Sequence, residues 1–195
     1  MNETTLFRCD WCTSDPVYIQ YHDTEWGVPQ YKDEQLFELL ILEGTQAGLS
    51  WITILKRREA YRKAYDNFNP ESMASWDEQK ILSLRQNCSI IRNKLKIEAA
   101  TKNARAYLRL LEKEGSFSKF LWDFVGGQPL QNSWDKMEQV PAQTDQSVAM
   151  SKALKKKGFS FVGPTICYAF MQSAGMVNDH LVSCFRYQEL KEARQ

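Results

Sequence analysis

Between Leu39 and Leu55 the chain reads Leu39-Leu40-Ile41-Leu42-Glu43-Gly44-Thr45-Gln46-Ala47-Gly48-Leu49-Ser50-Trp51-Ile52-Thr53-Ile54-Leu55, apolar at nearly every position around one carboxylate. A run this apolar belongs mostly in the interior, and the rest of the chain must be arranged around it. Glu43 sits in its middle, with no basic residue nearer in sequence than Lys32 and Lys56. A buried, unpaired carboxylate costs several kcal/mol or raises its pKa until it is neutral. A chain that keeps one there has a use for it, or a partner elsewhere that satisfies it. Gly44 and Gly48 interrupt what would otherwise be one helix. The pattern predicts two helices joined by a short turn, with Glu43 at the mouth of a pocket and Leu49 at the tip of the turn.

With 195 residues the chain can bury a substantial core as one large domain or two closely packed lobes. A net charge of +1 gives no global lean toward nucleic acid or membrane, so any nucleic-acid surface must be local. No segment approaches the roughly 18 apolar residues of a membrane span. The start, Met1-Asn2-Glu3-Thr4-Thr5, does not read as a signal peptide, and a cytoplasmic location is expected. Five cysteines without a secretory leader argue against a disulfide framework and for metal ligation or plain burial.

The expected fold is all-α, since no alternation of the β type lasts more than a few residues. Ser14-Asp15-Pro16 starts a helix that places Tyr18, Tyr21, His22 and Trp26 on one face and ends at Gly27-Val28-Pro29. Such a stripe can be ordinary core, but all four side chains carry polar atoms that need partners when buried. Asp33 is read as the cap of the helix leading to Glu43. Ser50 is read as the cap of the next helix, which runs through Tyr61 and Tyr65 to Asn69-Pro70, with Lys56, Arg57 and Arg58 on a solvated face. Further helices are expected from Asp77 to about Arg85, from about Ile91 to Glu114 with Leu95 on its inner face, and from Ser116 to Val125. Residues 128–141 read as a surface connection, and no oligomer is indicated, so a monomer is expected.

Ser147 to Lys157 is a helix ending in three lysines. The segment Lys157-Gly158-Phe159-Ser160-Phe161-Val162-Gly163-Pro164-Thr165 joins it to another beginning at Ile166. Two helices joined by a short turn with glycine at both ends form a helix-hairpin-helix pattern. Its second helix offers free N–H groups to a phosphate, and its lysines attract one. A plain helical corner with solvated lysines has the same pattern. The chain holds only two histidines, His22 and His180, one near each end. His180 and Cys184, with Cys9 and His22, can form a closed tetrahedral zinc site stapling the first segment (1–30) to the last (175–195). The alternative is a core histidine among buried cysteines. Cys12 is a further thiol close to Cys9, while Cys88 and Cys167 look merely packed.

Five motifs in order resemble the 3-methyladenine DNA glycosylase I family. They are Cys9-x-Trp11, Asp15-Pro16-x-Tyr18-x-x-Tyr21-His22-Asp23-x-Glu25-Trp26-Gly27, Leu42-Glu43-x-x-Gln46-Ala47-Gly48-Leu49-Ser50-Trp51, Lys155-x-x-Gly158-Phe159-x-Phe161-Val162-Gly163 and Val177-Asn178-Asp179-His180. The resemblance covers nearly the whole chain. It implies an all-helical helix-hairpin-helix glycosylase in one unit, and Zn2+ bound by Cys9, His22, His180 and Cys184. The implied activity is excision of 3-methyladenine from double-stranded alkylated DNA, in a base pocket of Trp11, Tyr18, Tyr21, Trp26, Glu43 and Trp51. It implies that Gly48 and Leu49 enter the gap left by the extruded nucleotide, and that Lys157, Gly158, Phe161 and Gly163 contact DNA. Glu43 is then expected to accept hydrogen bonds from the adenine edge, and Tyr21 to help hold the base. Asp179 is expected to have a structural role beside its metal-ligating neighbour.

Overall fold

The computed structural model describes residues 6–193; residues 1–5, read above as no secretory leader, and 194–195 lie outside them. Helices dominate: α1 (Pro16–Thr24), α2 (Asp33–Gln46), α3 (Trp51–Leu55), α4 (Arg58–Ala64), α5 (Pro70–Ala74), α6 (Glu78–Gln86), α7 (Lys94–Glu114), α8 (Phe117–Trp122), α9 (Asp145–Lys157), α10 (Pro164–Ser173) and α11 (Phe185–Glu192). Among the described residues, no helix is long and apolar enough to cross a membrane. The apolar run supplies the centre: α2 packs against α3, α7, α8 and α10, and Leu36, Phe37 and Leu40 are all but inaccessible. Each such side chain contributes about 1.5–3 kcal/mol by leaving water.

Three expected caps form where side chain and open N–H are neighbours. Asp15 accepts from Val17 N at 3.0 Å, Asp77 from Lys80 N at 2.8 Å and Ser116 from Lys119 N at 3.1 Å. Asp33 behaves differently. It lies inside the first turn of α2, and its carboxylate accepts instead from Phe117 N at 3.0 Å and Ser118 N at 2.7 Å, capping α8 from a distance. Ser50 precedes α3, but its hydroxyl bonds Thr53 Oγ1 at 2.7 Å rather than a backbone N–H.

Gly44 does not interrupt α2, which runs on to Gln46; Gly48 does, with φ +79°. The single helix expected from Ser50 to Asn69 is broken into α3, α4 and a 3-10 turn at Asp66–Phe68. Arg57 Nη1 takes up Thr53 O at 3.1 Å, a carbonyl that the early end of α3 leaves open. The inner face of α7 is Ile97, Ala100, Ala104, Tyr107 and Leu110; Leu95 is 64% exposed, because it stands two residues, and so about half a turn, away from Ile97. Residues 128–141 are more than a surface connection. They contain β1 (Leu130–Gln131), which pairs in parallel with β2 (Val177–Asn178), Leu130 opposite Val177 and Gln131 opposite Asn178. This ribbon ties the stretch to the segment that carries Asp179 and His180.

Candidate active site and metal cluster

The two chain ends meet in a buried cluster, Cys9, His22, His180 and Cys184, whose ligand atoms all lie within 4.8 Å of one another. A tetrahedral zinc with bonds of about 2.3 Å to sulfur and 2.0–2.1 Å to nitrogen requires S···N edges of about 3.5 Å. The observed edges are 3.5 Å from Cys9 Sγ to His180 Nδ1, 3.5 Å from Cys184 Sγ to His22 Nε2 and 3.4 Å from Cys184 Sγ to His180 Nδ1. The outer ring nitrogens are held as well. His22 Nδ1 lies 2.8 Å from Asp23, itself paired with Arg8, and His180 Nε2 lies 3.0 Å from Trp26 O. Such partners orient metal-binding imidazoles. The Cys184 thiol is made more acidic, chiefly by the hydrogen bond from Cys9 and then by those of the two histidines. The donor set therefore suits a metal ion. Cys12 stands outside it, 3.8 Å from the carbonyls of Thr13 and Tyr18. Cys167 is buried as expected, whereas Cys88 is exposed.

Against this cluster leans a cage of rings. Trp11 is 5.2 Å from the His22 ring, Trp26 is 4.6 Å from that of His180, and Trp11 meets Tyr18 at 5.1 Å and Trp26 at 5.0 Å between centroids. Tyr21 and Trp51 close the opposite side at 5.6 Å. These rings, with Glu43, Gln46, Met137, Ala169, Gln172 and Ser173, enclose a cavity of about 210 Å³. Helix α1 and its flanks supply four of the rings, α2 the carboxylate, α3 its first residue Trp51, and α10 the floor.

Glu43 is 2% exposed and engages no ion pair among the described residues. Its Oε1 accepts from the Ser173 hydroxyl; its Oε2 has no partner among them. Burial pushes its pKa up to about 7, against the opposing effect of the Ser173 bond. Three more polar atoms of the cage have no well-formed hydrogen bond: Trp11 Nε1, Trp51 Nε1 and Tyr21 Oη, the last facing Ser173. Burial and the nearby Glu43 charge hold the Tyr21 hydroxyl firmly protonated. Two donors, one donor-acceptor and one acceptor thus belong to residues that line one small cavity. Buried polar groups normally find partners within the protein, so this concentration marks a ligand site.

Asp179, 1% exposed, is the reverse. It accepts from Asn132 Nδ2 (2.6 Å), Trp134 Nε1 (2.8 Å), Tyr168 Oη (2.6 Å) and Gln172 Nε2 (2.7 Å). The basic run expected on a solvated face is also engaged: Lys56 pairs with Asp15, and Arg58 binds both oxygens of Glu25. Arg58 and Glu25 line a second cavity of about 150 Å³ behind Tyr21 and Trp51, where Arg62 likewise meets Glu38.

The α9–α10 hairpin has Gly158 at φ +97° closing α9 and Gly163 opening α10, with Phe161 between them at φ +55° against Gly44. Lys157 is bound by Glu114, while Lys155 and Lys156 are exposed and make no ion pair among the described residues. Leu49, 39% exposed, projects from the turn at Gly48, on the side where α2 ends above Phe161. Sequence reasoning missed Ser173, Gln172 and Met137 as cage residues and Asn132 and Trp134 as holders of Asp179. No periodicity marks them.

A helix-hairpin-helix protein with a ring-lined cage has the architecture of a base-excising glycosylase. The family model described as methyladenine glycosylase matches residues 11–187, and the chain belongs to that family. It is 50% identical over 180 residues to DNA-3-methyladenine glycosylase 1 of Escherichia coli, covering 92% of this chain and 96% of the relative. It is 49% identical over 177 residues to DNA-3-methyladenine glycosylase of Haemophilus influenzae, covering 91% and 96%. A crystal structure of 3-methyladenine DNA glycosylase I superposes with a TM-score of 0.91 at 51% identity, covering 92% of this chain and 98% of the other.

Proposed function

We propose that the protein removes 3-methyladenine from alkylated double-stranded DNA, hydrolysing the N-glycosidic bond and leaving an abasic site. The observation that carries this reading is the buried, half-satisfied carboxylate of Glu43 inside a cage of rings. In the nucleotide, an adenine methylated at N3 is a cation. Tyr and Trp faces hold a cation better than neutral adenine by roughly 0.5–2 kcal/mol each, so Trp11, Tyr18, Trp26 and Trp51 select damage by charge and shape. Glu43 accepts from the adenine amino group, where guanine would present a carbonyl oxygen and repel it. Tyr21 adds a hydroxyl that either donates or accepts at the base edge.

Because the lost base leaves neutral, taking the electron pair of its bond to C1′, no acid is needed to protonate it. Water adds at C1′ and gives up a proton. No lysine adduct is required, and the activity is that of a monofunctional glycosylase. The base reaches the cage only outside the stack; Leu49 and Gly48 fill the gap it leaves. Gly158, Phe161 and Gly163 of the hairpin meet the DNA backbone together with the lysines of α9, although Lys157 must share its charge with Glu114. The metal we assign to Cys9, His22, His180 and Cys184 is one zinc, which supplies a structural cross-link between the chain ends.

Incubating the protein with methylated DNA and separating the released bases by chromatography tests the reading. Free 3-methyladenine is the expected product, and its absence would refute the proposal. Metal analysis should find about one zinc per chain.

A further inference from the structure

Helix α7 takes no part in the cage, yet two of its side chains grip the two loops assigned to DNA. Lys96 Nζ donates to Thr45 O at 2.8 Å and Ala47 O at 2.6 Å, two carbonyls left open where α2 ends. A cation at a helix C-terminus also meets the negative end of the helix dipole. The next residues are Gly48 and Leu49. Seven residues further along α7, Asn103 is 4% exposed and exchanges two bonds with one backbone unit of the hairpin: Nδ2 to Ser160 O at 3.0 Å and Ser160 N to Oδ1 at 2.7 Å.

Seven residues make about two turns, so Lys96 and Asn103 share one face of α7, about 10.5 Å apart along its axis. Helix α2, just before the turn, touches the hairpin between these points. A Cβ on Gly44 would come within 3.2 Å of Phe161 O and 3.3 Å of Phe161 Cβ, so α2 and the hairpin pack closely enough that a side chain at 44 would have to push the hairpin back by a few tenths of an ångström. Phe161 holds φ +55°, a left-handed conformation that costs a non-glycine residue about 1–2 kcal/mol. Bonds on both sides keep it there: Asn103 on Ser160, and Ser151 Oγ on Val162 O at 2.6 Å.

We propose that Lys96 and Asn103 are positioning residues that peg the Gly48-Leu49 turn and the hairpin to one rigid helix, setting the separation at which the two loops engage a duplex. The inference rests on the proposed action on DNA, but its test does not depend on catalysis. Lys96→Met keeps the aliphatic stem and removes the ammonium; Asn103→Ala removes the clamp. Loss of charge-assisted or paired hydrogen bonds of this kind should weaken binding to a duplex carrying a tetrahydrofuran abasic-site analogue by about tenfold. Affinity for free 3-methyladenine, followed by tryptophan fluorescence, and zinc content should stay at the wild-type level. Lys96→Arg, which retains a cation, should restore most of the duplex affinity.

Duplex affinity unchanged in Lys96→Met would overturn the proposal. So would a parallel fall in free-base affinity, which would mean that the residue supports the fold at large. Should Asn103→Ala fail to fold, Lys96→Met and its arginine counterpart decide the question alone. Failure of the wild-type protein to release 3-methyladenine strikes the proposed function instead, and is read in a separate assay.

Discussion

Among the described residues two carboxylates lie buried, served by adjacent residues of one helix. Gln172 donates to Asp179 and Ser173 donates to Glu43. Around Asp179 three more donors complete the shell, and every one comes from the protein. Around Glu43 there is one donor and an oxygen without a partner, in a cavity whose rings also carry unanswered polar atoms. Burial is the same in both, within a per cent or so of exposure. The difference lies in who satisfies the charge. A filled shell makes a joint between segments; a half-empty one waits for a ligand.

Substitution at each site should separate the two roles, and the largest effect should fall on Asp179. Asp179→Asn sets a donor against four donors and should cost about 3–5 kcal/mol of stability, read by urea denaturation. A variant as stable as wild type would break the comparison at its first term. Next comes Glu43→Gln, which should lower kcat/KM for 3-methyladenine release by about a hundredfold, roughly 2.7 kcal/mol, with the fold intact. For wild type the same kinetic constant should rise with pH through about 7, the value to which burial pushes Glu43, because the ionised form is the better acceptor.

Stability should move the other way. The folded protein keeps a proton on Glu43 that the unfolded chain gives up between about pH 4.5 and 7. Its stability relative to a variant without the charge is therefore greatest below that window and falls across it. Glu43→Gln should gain about 2 kcal/mol on wild type between pH 5 and 7.5; melting curves that stay parallel over that range would argue against the raised pKa. The smallest effect belongs to Ser173→Ala, about 1 kcal/mol. Since the serine bond opposes the upward shift, its removal should carry the kinetic midpoint above 7.

Much of this was legible in the residues themselves. A lone acid in an apolar run pointed to a pocket, whereas the stripe Tyr18, Tyr21, His22 and Trp26 read equally as ordinary core; three of its rings line the cage and His22 joins the cluster. Two histidines in the whole chain, one near each end, left few ways to build a metal site. What stayed hidden depends on which segments meet. Ser173 has no local mark that makes it the partner of Glu43, 130 residues away. Asp33 looked like a cap for its own helix because its competitor, the start of α8, lies 84 residues on. Trp134 sits in a stretch without periodicity, and it reaches Asp179 through the parallel pairing of β1 with β2 and its own bridge to Leu181. Local pattern reports which residues leave water; it does not report whom they meet there.

The buried Cys/His cluster brings Cys9 to His180, 171 positions apart. A chain is made from its N-terminus, so the first tryptophans of the cage leave the ribosome long before the histidine and cysteine that must back them. Closing so long a span is slow compared with forming any single helix, and most of the remaining contacts must already be in place to make it worthwhile. The ring-lined chamber is therefore expected among the last parts of the molecule to be finished, so that a nascent or prematurely terminated chain carries the helices without it.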